Sequence, residues 1–165
     1  MSMRPGKYLM WLGLAALLAL LDLWTKHLAS QNLVLYRPVE VTSWFNLTLA
    51  HNDGAAFSLL ADAGGWQRWF FSVVAVIIAG VLMVWLKRLP QHARLLPVGI
   101  SLVLGGAAGN LVDRIRLGYV VDFIDIHYQG WHWPAFNLAD SVIVIGVIVL
   151  LIEGFLPRGG PRREA

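Results

Sequence analysis

The sequence contains four long apolar segments, each close to the length of a helix that crosses a membrane. They cover approximately residues 8–28, 69–86, 95–112 and 138–156. A transmembrane helix needs about 20 mostly apolar residues, and only 14% of this chain is charged, against roughly 25% in soluble domains. No long polar linker separates the segments. We therefore predict one integral membrane domain over residues 1–165, with an all-α polytopic fold of four transmembrane helices.

The distribution of basic residues predicts the orientation of these helices. The N-terminus, the loop at 87–94 and the C-terminus hold eight of the thirteen Lys and Arg residues. Because positive loops stay in the cytoplasm, both termini are expected there, and the regions 33–67 and 113–134 are expected outside. The first segment is interrupted by Asp22 and Lys26 and lacks an A-x-A cleavage site, so we expect an uncleaved span rather than a signal peptide.

The first outer region has the composition of β-strands. Residues 39–49 are rich in β-branched and aromatic side chains and partly alternate, which predicts short strands on the membrane surface. The turn-forming run at 51–54 is expected to end them.

The basic residues form no stripe interleaved with aromatics, so nucleic acid is not an expected partner.

Two aspartates, Asp122 and Asp140, stand at the edges of apolar runs on the predicted outer side. An ionised Asp at the centre of a membrane helix costs about 2.5–3.5 kcal/mol, so such residues suggest function. A close carboxyl pair in a poorly solvated site shares a proton and can activate water, which makes an intramembrane aspartyl hydrolase our first hypothesis. Alternatively, Asp140 is a helix N-terminal anion and Asp122 pairs with Arg114 or Arg116.

Other polar residues border the same segments. Asp22 and Lys26 are four residues apart, which predicts an ion pair on one helix face. Adjacent Asp113 and Arg114 are expected to form a local ion pair beyond the third span. Asn110 lies inside the apolar run, where a lipid-facing amide would be unsatisfied, so we expect it in the bundle interior, as a substrate contact or as a bond between helices.

Small and turn-forming residues complete the candidate set. The third span carries Gly105, Gly106 and Gly109, which predict close helix packing and could also admit a peptide substrate. Asn137 could cap the fourth span or bind substrate. The outer histidines lack the spacing of metal ligands, so no metal site is expected.

Five short blocks of this sequence resemble the bacterial lipoprotein signal peptidases (signal peptidase II). They are DLWTK at 22–26, NDGAAFS at 52–58, GNLVDR at 109–114, VVDFI at 120–124 and FNLADS at 136–141. The blocks occur in the family's order and cover most of the chain. The resemblance implies four helices, a small extracytoplasmic β-sheet and a short amphipathic segment.

The resemblance also implies an activity and its residues. It implies an aspartyl endopeptidase of the bacterial inner membrane, with its site toward the periplasm, that cleaves diacylglyceryl-modified prolipoproteins just before the lipidated cysteine. Asp122 and Asp140 would be catalytic. Residues that would bind substrate or support the site are Asn52, Gly54, Asn110, Asp113, Arg114, Asn137, Ala139, Asp22 and Lys26. A monomer without cofactors, in contact with membrane lipids and inhibited by globomycin-type cyclic peptides, is expected.

Two other classes of function compete with this interpretation. A metal-dependent membrane phosphotransferase acting on a lipid head group could use Asp122, Asp125 and Asp140 as ligands. A transporter or channel subunit could use Asp22, Asp122 and Asp140 as ion sites. The roles of His51, Asp125 and His127 stay open at the level of sequence.

Overall fold

A computed structural model describes residues 2–54 and 65–155. Its helices are α1 (Pro5–Asn32), α2 (Gln67–Arg88), α3 (Leu95–Arg116) and α4 (Leu138–Phe155), and its strands are β1 (Val39–Thr42), β2 (Phe45–Asn52), β3 (Val120–Tyr128) and β4 (Trp131–His132). Within these described ranges, four helices are long and apolar enough to cross a membrane. The chain is therefore a multi-pass membrane protein, and the four predicted spans are confirmed.

Helix α3 forms the centre of the bundle. Within its most apolar 18-residue window, 56% of the residues are buried, against 11–17% for the other three helices. Small residues permit this position: a Cβ atom on Gly105 would lie 2.8 Å from the Ala15 carbonyl oxygen of α1. On the α4 side, a Cβ atom on Gly146 would lie 2.8 Å from the Gly99 carbonyl oxygen. The close packing predicted for the third span is therefore confirmed.

The N-terminus and the α2–α3 loop meet at one end of the bundle. The Met3 backbone N–H donates to the Lys87 carbonyl oxygen at 3.1 Å. The Lys7 ammonium donates to the carbonyl oxygens of Gln91 and Ala93. The basic residues of both segments therefore lie at the same end of the bundle, as the charge distribution predicted.

A four-stranded antiparallel sheet, in the order β1-β2-β3-β4, caps the other end. The strands predicted over 39–49 are confirmed as β1 and β2. Strand β2, however, continues through His51 and Asn52, which pair with Val121 and Val120 of β3. The predicted turn at 51–54 therefore begins two residues too early, because pairing with a distant strand outweighs the local turn preference.

Strand β3 places Asp122 in the sheet and not in a membrane helix. The pattern of Val, Phe and Ile residues along 120–128 is typical of a strand, although the sequence marked Asp122 only as the edge of an apolar run. The residues described contain no helix beyond the four named, so the short amphipathic segment stays an expectation. Residues 55–58 of the second block lie outside the described ranges.

Candidate active site

Asp122 is a buried carboxyl group held by two asparagines. It is 2% exposed. Its Oδ2 accepts a hydrogen bond from Asn52 Nδ2 at 2.9 Å, and its Oδ1 accepts one from Asn137 Nδ2 at 2.7 Å. Burial, followed by the nearby negative charge of Asp140, raises the pKa of Asp122 to about 7, even though the two amide hydrogen bonds act in the opposite direction.

Asp140 lies in the first turn of α4, where a helix N-terminus stabilises negative charge. Its Oδ1 accepts a hydrogen bond from Asn110 Nδ2 at 2.8 Å, and its Oδ2 accepts one from the Asn137 backbone N–H at 3.3 Å. In return, the Asp140 backbone N–H donates to Asn137 Oδ1 at 2.9 Å. This reciprocal arrangement is a capping box, so the predicted capping role of Asn137 is confirmed.

Asn137 connects the two aspartates. Its side chain is completely buried, and its Nδ2 lies within 3.3 Å of three acceptors: Asp122 Oδ1, Asn110 Oδ1 and the Val121 carbonyl oxygen. Its Oδ1 and backbone N–H meanwhile hold Asp140. One side chain therefore sets the position of β3 relative to the start of α4, and with it the relative position of the two carboxyl groups.

Lys26 lies at the centre of a buried charge cluster behind the aspartates. Its Nζ is 2.7 Å from Asp22 Oδ2 and 3.0 Å from Asp113 Oδ2, and it donates to Asn110 Oδ1 at 2.7 Å. The other carboxylate oxygen of Asp22 accepts a hydrogen bond from the Ala139 backbone N–H at 2.8 Å. The predicted Asp22–Lys26 pair is confirmed, and it joins α1 to α3 and α4.

The predicted ion pair between Asp113 and Arg114 is wrong. Asp113 bonds to Lys26 and accepts a hydrogen bond from the Val121 backbone N–H at 3.2 Å. Neighbouring residues on a helix point in directions about 100° apart, so they do not face each other. Arg114 instead donates to the Gly54 carbonyl oxygen at 3.0 Å and holds the end of β2 over the site.

The structure does not support the alternative role of Asp122 as an ion-pair partner of Arg114 or Arg116. No ion pair joins Asp122 to either arginine within the described residues.

Gly54 is itself fixed by a hydrogen bond from its backbone N–H to Asn52 Oδ1 at 3.0 Å. All predicted site residues therefore belong to one hydrogen-bonded network around the two aspartates.

A cavity of about 460 Å³ opens beside this network. Polar residues line its inner wall, among them Asn52, Asn110 and Asp140. Its outer wall includes Val144 and Ile145 of α4, which are 57% and 51% exposed on the membrane-facing side of the bundle. The segment 133–136, which the sequence did not suggest as part of the site, forms a further wall. The cavity can therefore accept a molecule that is partly apolar and partly polar.

The histidines on the sheet have partners other than Asp122 and Asp140. His51 stacks on the Tyr119 ring at 3.9 Å between centroids. His127 and His132 stack on each other in the sheet. Over residues 2–54 and 65–155, no group of three or more His, Asp or Glu side chains has a geometry that could hold a metal ion.

Known proteins resemble this chain over most of its length. The model of the signal peptidase (SPase) II family matches residues 14–156. A lipoprotein signal peptidase of Acinetobacter baumannii is 56% identical over 147 residues, which are 89% of this chain and 84% of that protein. One from Ectopseudomonas mendocina is 53% identical over 156 residues, 93% of this chain and 92% of that protein.

The fold resembles a solved structure as well. A bacterial membrane enzyme matches it with a TM-score of 0.83 and 30% identity, over 99% of this chain and 96% of that chain. These matches give no support to the phosphotransferase alternative, because the relatives named are peptidases. The chain, with a buried Asp122 beside a half-buried Asp140 on a membrane-embedded scaffold, belongs to the signal peptidase II family and is a protease of lipoprotein processing.

Proposed function

We propose that Asp122 and Asp140 are the catalytic pair with which this peptidase removes the signal peptide from diacylglyceryl-modified prolipoproteins, cleaving just before the lipidated cysteine. One observation carries the proposal: Asn137 holds both carboxyl groups, and the burial of Asp122, together with the charge of Asp140, raises the pKa of Asp122 to about 7. A pair of this kind keeps one proton near neutral pH and titrates as a unit.

One proton on the pair is what the hydrolysis of a peptide bond requires. The ionised carboxyl group takes a proton from a water molecule as the water oxygen attacks the scissile carbonyl carbon. The protonated carboxyl group gives its proton to the carbonyl oxygen, which forms a neutral tetrahedral diol without a covalent bond to the enzyme. The carboxyl group that took the water proton then gives it to the peptide nitrogen, while the other carboxylate takes a proton from one hydroxyl of the diol. The C–N bond breaks, a carboxylic acid and an amine leave, and the pair again holds one proton.

The cavity supports a lipid-anchored substrate. Its polar wall at Asn110 and Asp140 suits the peptide bond, and its wall at Val144 and Ile145 faces the bilayer. A diacylglyceryl group keeps the substrate in the membrane, so it can approach sideways beside α4. Because enzyme and substrate share one membrane plane, the reacting groups meet at high effective concentration.

The surrounding residues have supporting roles in this proposal. Asn52, Asn110 and Asn137 orient the carboxyl groups. Arg114 holds Gly54 beside them. Behind them, the cluster formed by Asp22, Lys26, Asp113 and the Ala139 backbone fixes the helices that carry the site.

The location belongs to the same proposal. A single domain over residues 1–165 lies in the bacterial inner membrane, with both termini in the cytoplasm and the sheet toward the periplasm. The basic residues at the Met3–Lys87 end of the bundle support this orientation. The enzyme acts as a monomer among membrane lipids, and globomycin-type cyclic peptides occupy the same cavity as the substrate.

The test is a gel-shift cleavage assay on a diacylglyceryl-modified prolipoprotein in detergent, with and without EDTA. It compares the wild type with Asp122→Asn and Asp140→Asn, and with Asp53→Asn as a control at an exposed aspartate. We expect cleavage by wild type and control regardless of EDTA, and none by the two active-site variants although both fold. Loss of turnover in EDTA, or near-normal cleavage by either active-site variant, would refute the proposal.

A further inference from the structure

The sheet carries a buried aspartate besides Asp122: Asp125, which is hydrogen-bonded to His132. Asp125 follows Asp122 by three residues on β3 and is 6% exposed. Its Oδ1 and Oδ2 lie 2.8 and 3.1 Å from His132 Nδ1 on β4. Half of the His132 side chain is exposed, so the histidine closes over the carboxylate from the solvent side.

Asp125 also binds the neighbouring strand on its other side. Its Oδ2 accepts hydrogen bonds from Asn46 Nδ2 at 3.1 Å and Thr48 Oγ1 at 3.3 Å, both on β2. Burial raises the pKa of Asp125, but the hydrogen bonds from His132, Asn46 and Thr48, together with the charge of His132, outweigh it and lower the pKa. Asp125 is therefore an ionised acceptor that links β2, β3 and β4.

The segment that follows His132 forms one wall of the cavity. Residues 133–136 all line it. The downstream end of this segment is secured by Phe136, whose backbone forms hydrogen bonds with Ile124 in both directions, at 2.8 and 3.0 Å. The upstream end has a backbone bond from the Trp133 N–H to the Ile126 carbonyl oxygen at 2.8 Å, and directly before it stands the His132–Asp125 pair.

We propose that Asp125 and His132 are positioning residues that hold the cavity wall at 133–136 against the bound substrate. This inference rests on the proposed function, because it assumes that the cavity receives the prolipoprotein. Strand β4 has only two residues, so few backbone bonds fix the upstream end of the wall. A charge-assisted hydrogen bond to a buried aspartate is stronger than a neutral one, and it supplies the missing restraint.

The catalytic pair is held by different contacts. Asp122 bonds to Asn52 and Asn137, and Asp140 bonds to Asn110 and Asn137. Neither Asp125 nor His132 contributes to those bonds. Loss of the Asp125–His132 pair should therefore weaken substrate binding and leave the chemical step intact, which is a change in KM and not in kcat.

The experiment measures KM and kcat with a fluorogenic lipopeptide substrate for the full-length protein in detergent. The variants are Asp125→Ala, His132→Phe, which keeps a ring but removes the donor, and the double variant. His132→Asn is the conservative variant, because its amide can place a donor near the position of Nδ1. Glu40→Gln removes an exposed carboxylate from β1 of the same sheet and serves as the control.

We expect Asp125→Ala and His132→Phe each to raise KM about tenfold, with kcat within about twofold of the wild type. The double variant should be no worse than Asp125→Ala alone, since His132 has already lost its acceptor in that variant. His132→Asn and Glu40→Gln should retain a near-normal KM. His132→Phe changes a half-exposed side chain, so it tests the pair even where Asp125→Ala fails to fold.

Three outcomes would overturn the inference. They are an unchanged KM in His132→Phe, a fall in kcat at constant KM, and additive effects in the double variant. Failure of the proposed function is a separate result, because it would leave cleavage intact in Asp122→Asn or abolish it in the wild type with EDTA.

Discussion

The buried carboxyl group of Asp122 should make the stability of this protein depend on pH. Its pKa rises from 3.8 to about 7 on folding. Well below pH 3.8 the group is protonated in both the folded and the unfolded state, so it does not change the free energy of unfolding. Between these two values the unfolded state loses the proton while the folded state keeps it, so the folded state becomes progressively less favoured as pH rises.

The size of the effect follows from this shift. One pKa unit corresponds to about 1.4 kcal/mol, so the total penalty above pH 7 is roughly 4 kcal/mol. Between pH 5 and pH 8 the linkage relation assigns roughly 2–3 kcal/mol of that penalty. In a protein of this length the loss corresponds to a decrease in Tm of roughly 5–10 °C.

The assay is thermal unfolding in detergent at pH 5 and pH 8, for the wild type and for Asp122→Asn. The amide does not ionise, so the variant lacks this penalty. Its free energy of unfolding, relative to that of the wild type, should therefore increase by roughly 2–3 kcal/mol from pH 5 to pH 8. Glu40→Gln, at an exposed position of the same sheet, corrects for the loss of one negative charge. Curves should be recorded at one scan rate, since an irreversible unfolding step makes the apparent Tm depend on scan rate.

The assay compares the free energy of unfolding of Asp122→Asn with that of the wild type. The reasoning would be refuted if this difference were the same at pH 5 and pH 8, or if it became smaller as pH rises. Asp140→Asn gives a second check on the cause. Because the charge of Asp140 contributes to the raised pKa of Asp122, its removal should lower that pKa, so that the loss of stability with rising pH becomes smaller and is complete at a lower pH.

Three further substitutions test the contacts around the pair. Asn137→Ala removes the connection between the aspartates, so cleavage should fall at least about 100-fold in a single-turnover assay; activity within tenfold would contradict the role of this connection. Gly109→Ala places a Cβ atom against the Asp22 carboxylate and should cost about 1–3 kcal/mol of stability, whereas Gly80→Ala, with no atom within 4 Å of its Cβ, should not lower Tm. Lys26→Met leaves buried carboxylates without a cation, so we expect a loss of about 3–5 kcal/mol in chemical unfolding; an unchanged midpoint would show that the cluster is not stabilising.

The membrane spans could be predicted from the sequence because the signal is local. A run of about 20 apolar residues is long enough to cross the bilayer whatever its neighbours do. The Asp22–Lys26 pair was equally local, since residues four apart on a helix lie on one face. The cap of α4 by Asn137 follows from the same short-range geometry.

Contacts between distant segments could not be predicted this way. Asp113 has an arginine as its neighbour, yet its partner is Lys26 of another helix, because packing of α3 against α1 buries both groups together. The part of β3 that carries Asp122 pairs with β2, some 70 positions earlier in the chain. Residues 133–135 of the cavity wall belong to none of the five blocks, since they matter through their position and not through their chemistry.

The sequence by itself therefore determined the four membrane spans, the charged end of the bundle and, through five short blocks that resemble a known family, which aspartates to consider. Only the tertiary structure decided how those aspartates are held. It places Asn137 between Asp122 and Asp140 and Lys26 behind them. The physical reason is that burial and hydrogen bonding at this site join β2, β3 and three helices, and no local pattern specifies where such distant elements meet.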